Sequence, residues 1–338
     1  MIKEPIFFER NRVWRVYSGG KLFGDFFGDE AVDSFFPEEW IASGVKALNK
    51  EKRGEKEGVS KIKGTDVYFD EVIEQYPLEM LGSSRKMRIL VKILDSAVRL
   101  PAQAHPDKAF SRKHFNSEYG KTESWIILGT REDARIYFGF KDGVDREAFS
   151  KAIDISETDK SVMAELMEYR IPQKDDVFLV PGRTVHAIGA GCLILEVQEP
   201  TDFTIQPEHW CDEYKLNDNE MYIGLSKQDA MDCFDFEKAP DTKLVPGVVF
   251  DDNGTKIEEL ITPDDTECFV INRITVDGGS HTINIADSYG VYIVTDGNGV
   301  IRGDNYKKEI RKGDYFFVPA CAMNKFTISG NAQIIECY

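Results

Sequence analysis

A nine-residue phrase occurs twice in this chain. Lys174-Asp175-Asp176-Val177-Phe178-Leu179-Val180-Pro181-Gly182 is matched by Lys312-Gly313-Asp314-Tyr315-Phe316-Phe317-Val318-Pro319-Ala320, at a constant offset of 138 residues. Each copy reads as a tight turn, an apolar strand and a proline that ends it. A separation this long excludes a solenoid and predicts two β-barrels of one kind in tandem. The other apolar runs agree, because 124–128, 192–197 and 289–295 are short, rich in Val, Ile, Leu and Tyr, and flanked by polar or turn-forming residues. Helical periodicity is confined to 145–153 with 159–169, and to 226–233. The stretch 50–63, dense in Lys, Glu and Gly, reads as a mobile solvated loop. Asp296-Gly297-Asn298-Gly299 reads as a hairpin turn of the second barrel. The boundary is expected near Pro240–Pro246, giving domains 1–240 and 241–338.

Charge narrows the partners. The chain holds 42 Lys plus Arg against 59 Asp plus Glu, a net charge of −17 that repels a phosphate backbone over most of the surface. Nucleic acid is therefore excluded, and an anionic small molecule requires a local cluster of cations. The first residues carry Glu4, Glu9 and Arg10 within their apolar patch, unlike a signal peptide, and no run is long enough to span a bilayer. The expected location is the cytoplasm. Six cysteines without a Cys-x-x-Cys pair read as buried reduced thiols rather than as a metal knot or redox dithiol. The oligomeric state is left open.

Four residues stand out as metal ligands. Gln103 and His105 alternate with Ala102 and Ala104, so on a strand both point to one face. Glu123 precedes the strand 124–128, and His186 follows the turn after Val180-Pro181-Gly182. Imidazole, carboxylate and amide oxygen without thiolate suit Zn, Mn, Fe or Co, with a coordination position left for water or substrate. Carrying the offset of 138 forward puts Asn324 where the first copy has His186, so the second barrel is expected to lack the metal.

The words around these residues resemble the class I mannose-6-phosphate isomerases, in the family's order. They are Leu90-Val91-Lys92-Ile93-Leu94-Asp95-Ser96-Ala97, Leu100-Pro101-Ala102-Gln103-Ala104-His105-Pro106-Asp107, Gly120-Lys121-Thr122-Glu123-Ser124-Trp125 and Pro181-Gly182-Arg183-Thr184-Val185-His186-Ala187. The similarity runs on through Glu196-Val197-Gln198-Glu199-Pro200-Thr201-Asp202 and touches most of the chain. It implies a mainly β fold of two tandem cupin-like (jelly-roll) barrels, with a few helices inserted in and after the first. It also implies one zinc ion per chain on Gln103, His105, Glu123 and His186, active-site lysines at Lys92 and Lys121, and interconversion of mannose 6-phosphate and fructose 6-phosphate. Strand parity by itself does not place Lys92 on the metal face.

That reaction moves a proton between adjacent carbons, so it needs carbonyl polarisation and a base. A lysine beside a cation has its pKa lowered toward neutrality, which makes Lys121, and then Lys92, candidates for proton transfer or positioning. Arg15, Lys21 and Arg85-Lys86-Met87-Arg88 are the candidate phosphate cations. One departure stands out: in Thr201-Asp202-Phe203-Thr204-Ile205-Gln206, Gln206 stands where the family carries an arginine, leaving a weaker dipolar donor. Arg183 is a candidate replacement charge. The rival readings are a non-catalytic sugar-phosphate-binding cupin, an isomerase of a different sugar, and an iron-dependent oxygenase.

Overall fold

The computed structural model describes residues 3–50, 53–237 and 242–338. Its strands form two large antiparallel sheets built to one plan. The first runs in the order Lys243–Leu244, Val177–Val180, Glu123–Thr130, Cys192–Gln198, Leu90–Ser96, Glu38–Ile41, Arg12–Val13. The second runs Ile6–Phe7, Tyr315–Val318, Gly290–Gly303, Thr327–Cys337, Ile271–Thr282, Thr255–Ile261, Gly247–Asp252, with Tyr306–Arg311 pairing Gly290–Gly303 off this path. The two lists correspond position by position, and the repeated strands Val177–Val180 and Tyr315–Val318 hold the same place in each. Even the turn before them is shared, since Asp175 (φ 74°) and Gly313 (φ 86°), 138 residues apart, are both left-handed.

The outermost strand of each sheet comes from the other side of the expected boundary. Ile6–Phe7 pairs with Tyr315–Val318, and Lys243–Leu244 pairs with Val177–Val180. Division at 240/241 is thus crossed by a strand in each direction, and Pro240 itself lies outside the described residues.

The central strands of each sheet are buried on both faces, while Gly247–Asp252 at the edge of the second is exposed. Along Glu123–Thr130, Ile126 joins a cluster with Val291, Ile293, Phe317 and Ile335 of the second sheet, while Trp125 and Ile127 turn to Phe138 and Phe178 on the other side. In the second sheet Tyr292, Val294 and Phe316 face their own cluster. Unbroken apolar runs, rather than alternating ones, are what such doubly buried strands require.

Three local expectations are corrected. Asp145 caps the helix Arg146–Ile155 by accepting from the Ala148 amide, as the periodicity predicts, but in 159–169 only Val162–Glu165 is helical. Met167–Arg170 is a strand, because pairing of Tyr169 and Arg170 with Tyr137 and Ile136 overrides the local helical pattern. Within 50–63, Val59, Ser60 and Ile62 are buried and Ser60 Oγ accepts the Ser43 amide, so this stretch packs despite its composition; residues 51–52 lie outside the described ones. Asp296–Gly299 is the bent middle of Gly290–Gly303 rather than a turn. A register shift at Val294/Asp296 and a left-handed Gly297 (φ 69°) bend that strand, which turns back only after Gly303.

Candidate metal centre and active site

Ladder pairing assembles the site. Gln103 and His186 exchange backbone hydrogen bonds of 3.0 and 2.9 Å, which places a residue of the 102–105 segment beside the first residue of the strand His186–Ile188. Two positions on, His105 falls on the same side as Gln103, while Ala102 and Ala104 are wholly buried in the core behind. Glu123 opens its strand between Val180 and Gln198.

His105 Nε2 lies 3.2 Å from His186 Nε2 and 3.0 Å from Glu123 Oε2, and His186 Nε2 lies 3.4 Å from Glu123 Oε1. The other ring nitrogens each meet a backbone carbonyl: His105 Nδ1 at 2.9 Å from Phe203 O, and His186 Nδ1 at 2.9 Å from Thr184 O. Those carbonyls fix the proton on Nδ1, so both Nε2 atoms present lone pairs toward one point shared with a carboxylate. The Lys121 ammonium meets two of these acceptors, His105 Nε2 at 2.7 Å and Glu123 Oε2, and the ligand atoms of the three groups lie within 4.8 Å of one another, close enough to share one ion. The donor set fits a divalent ion.

Electrostatics keep the donors in the binding form. Burial, and then the Lys121 ammonium, push the His105 imidazole down to about 3; burial also lowers His186. Burial alone raises a carboxyl pKa, but beside the Lys121 ammonium and His105 Glu123 is held well below the usual range. Lys121 Nζ donates to Glu123 Oε2 at 2.5 Å and sits 2.7 Å from His105 Nε2; Trp125 Nε1 donates to Glu123 Oε1 at 2.9 Å.

His105, Glu123 and Lys121 line a cavity of about 370 Å³, with Gln103, Lys92, Gln206, Glu196 and Arg15 also on its wall. Lys92 is therefore in the site although strand parity gave no reason to place it there. It stands 3.1 Å from Glu196 and 4.9 Å from the Trp40 ring. Burial lowers its pKa, but Glu196, Glu38 and Asp202 more than offset this, so Lys92 is held as a cation rather than tuned toward neutrality. Gln206 lines the cavity with its amide donating to Glu220 O at 3.1 Å.

Arg183 is the residue that the structure does not bring in. Its guanidinium reaches Asp232 O at 3.4 Å, outside the cavity, and its left-handed backbone (φ 73°) turns the side chain away; only its amide touches the site, donating to His105 O at 2.6 Å.

Glu38, Glu196 and Asp202 are cavity carboxylates that spacing did not single out. Glu196 lies directly across the ladder from Lys92, and burial raises its pKa. An acid inside the apolar strand Cys192–Gln198 is the signal that marks it. Glu38 accepts from Arg15 Nε, Tyr17 Oη and Trp40 Nε1 at 2.7–2.8 Å.

These strands have a cupin fold, and with the buried His–Glu–His cluster they define a cupin with a candidate metal centre. Residues 259–338 match the family model for the mannose-6-phosphate isomerase cupin domain. The chain is 29% identical to mannose-6-phosphate isomerase ManA of Bacillus subtilis (strain 168) over 250 residues, 73% of each chain. It is 27% identical to the probable mannose-6-phosphate isomerase GmuF of the same organism, over 98% of this chain and 96% of that one. The crystal structure of the Bacillus subtilis mannose 6-phosphate isomerase superposes with a TM-score of 0.77 at 22% identity, covering 99% of both chains. Over nearly its whole length the chain is similar to mannose-6-phosphate isomerases, and its sheets share their cupin fold. Among the described residues no helix is long and apolar enough to cross a membrane.

Proposed function

We propose that this chain is a metal-dependent aldose–ketose isomerase interconverting mannose 6-phosphate and fructose 6-phosphate, with one zinc ion on Gln103, His105, Glu123 and His186. The observation that carries the reading is the pair of buried Nε2 lone pairs converging with Glu123 on a cavity of sugar-phosphate size. Zinc, when bound, polarises the sugar oxygens at the reacting carbons. Lys92 and Lys121 hold negative charge on those oxygens in place, in a buried setting where each interaction is strong. Glu196, beside Lys92, moves the proton between the two carbons, and its raised pKa brings it toward the working pH. Gln206 contributes an amide donor to the same wall.

In this reading residues 1–240 carry the site, and 241–338 form a second cupin unit without ligands, Asn324 standing at the offset position of His186. Five cysteines buried as thiols, Cys192, Cys211, Cys233, Cys268 and Cys337, fit a reducing compartment, the cytoplasm. A coupled assay for fructose 6-phosphate formation, run beside metal analysis of protein purified without added metal, tests the proposal. Turnover with stoichiometric zinc is expected. Bound zinc without turnover of any hexose phosphate leaves a sugar-phosphate-binding cupin, the reading that the neutral Gln206 amide favours.

A further inference from the structure

Of the cations that the sequence offers for an anion, only Arg15 lines the cavity; Lys21 does not, and Arg88 is turned to Glu267 O. The other lining cations are Lys50, Lys92 and Lys121. Lys121 is bonded to Glu123 and Lys92 stands beside Glu196, so both sit at the end where carbons react. In a hexose 6-phosphate the phosphoryl group is carried at the far end of the carbon chain from the reacting pair. A cation for it must stand apart from those two lysines.

Arg15 lies across Asp202 from Lys92, 3.1 Å from the carboxylate oxygen that Lys92 approaches to 3.9 Å, and it has the donors to take a phosphoryl group. Its Nε donates to Glu38 at 2.8 Å, its Nη1 to Asn49 Oδ1 at 3.1 Å and its Nη2 to both oxygens of Asp202 at 3.1 and 3.2 Å. A guanidinium has two N–H groups on Nη1, so one is left over with no partner among the described residues. Asp202 also accepts the Leu48 amide at 2.8 Å, so it keeps a donor when Arg15 turns from it. A planar fork held by a carboxylate that has a second partner is suited to exchange one oxyanion for another.

We infer that Arg15 is the phosphate contact of this cavity, its guanidinium trading Asp202 for the phosphoryl oxygens of the substrate. The inference rests on the sugar-phosphate reading above, and its test is separable from it. Inorganic phosphate is titrated calorimetrically into the full chain and into Arg15→Gln, Arg15→Lys and Asp202→Asn, with melting curves as the check on folding. Phosphate affinity is expected to fall at least tenfold in Arg15→Gln, and less in Arg15→Lys. It rises in Asp202→Asn, where the competing carboxylate is gone. In turnover, KM for the sugar phosphate rises with the phosphate Kd while kcat stays within about threefold, the signature of lost uniform binding.

Wild-type binding of phosphate with unchanged binding by Arg15→Gln overturns the inference, as does a wild type that binds no phosphate. Equal weakening by Asp202→Asn also overturns it, since the pair is then only a brace of the cavity wall. If Arg15→Gln does not fold, the Arg15→Lys and Asp202→Asn titrations decide. Phosphate held through Arg15 without isomerisation refutes the proposed reaction alone; isomerisation with unchanged KM in Arg15→Gln refutes this inference alone.

Discussion

Removing the metal, or one imidazole that holds it, tests the centre through stability as well as turnover. The Nε2 atoms of His105 and His186, 3.2 Å apart with Nδ1 of each ring on a backbone carbonyl, converge with Glu123; Lys121 Nζ meets His105 Nε2 and Glu123, and a divalent ion would join all three groups. An ion that binds the folded chain and not the unfolded one stabilises it by about 2.7 kcal/mol when its free concentration is a hundredfold above Kd, and by about 4.1 kcal/mol at a thousandfold. Unfolding entropy near 60 °C is about 2.1 cal/mol/K per residue, which for 338 residues is about 0.7 kcal/mol/K. Zinc is therefore expected to raise Tm by about 4 °C at the lower concentration and about 6 °C at the higher. Differential scanning calorimetry of chelated protein, with zinc returned in steps, reads this directly. His186→Ala removes one of the converging donors, and its zinc-dependent shift is expected to fall below about 1 °C. A wild type whose Tm ignores zinc, or a His186→Ala variant that keeps the full shift, would refute the assignment of the centre.

Three further outcomes follow from named groups. Glu38 is lowered to about 2: burial opposes ionisation, but Arg15 and Lys92 outweigh it. Its contribution, about 3 kcal/mol at 1.36 kcal/mol per unit, is present above its ordinary pKa and is lost as pH falls toward 2. Glu38→Gln is accordingly destabilised in urea titrations at pH 7, and the gap to wild type closes between about pH 4.5 and pH 2. Glu336, buried against Asn272 and Tyr292, is shifted the other way by burial. Its contribution is full below the ordinary carboxyl pKa and is lost as pH rises through the raised one, so Glu336→Gln gains on wild type as pH rises above the ordinary carboxyl range; a difference independent of pH would count against it. Arg183→Gly keeps the left-handed backbone and deletes a side chain outside the cavity, and kcat/KM is expected to stay within about twofold of wild type.

Local chemistry was legible in the sequence where neighbours along the chain are also neighbours in space. Gln103 and His105 both line the cavity because an extended segment, held here by isolated bridges at Gln103 and Ala104, alternates like a strand, and Ala102 and Ala104 pack into the core. The turn, strand and proline of each repeat carry their own punctuation, which is why the offset of 138 reappears as a common sheet order. What depends on register was not legible. Glu196 meets Lys92 across a ladder spanning 104 positions, and Arg15 meets Asp202 across 187, so spacing along the chain does not reveal either pair. Arg183 misleads for a local reason: it sits three residues before His186, yet a positive φ reverses the direction of its side chain. Asp296–Gly299 has the composition of a turn but is held as strand by two flanking partners, Thr327–Cys337 and Tyr306–Arg311.

The exchange of outer strands sets an order of events during synthesis. Ile6–Phe7 leaves the ribosome early, but its partner strand Tyr315–Val318 follows about 300 residues later. At about 5–20 residues per second that is a delay of roughly 15–60 s. The first sheet, in turn, gains its outermost strand only once Lys243–Leu244 has emerged. Ile6–Phe7 thus works as a latch that cannot close until Tyr315–Val318 has been made, and a fragment cut at residue 240 lacks the 243–244 strand while leaving Ile6–Phe7 without its partner.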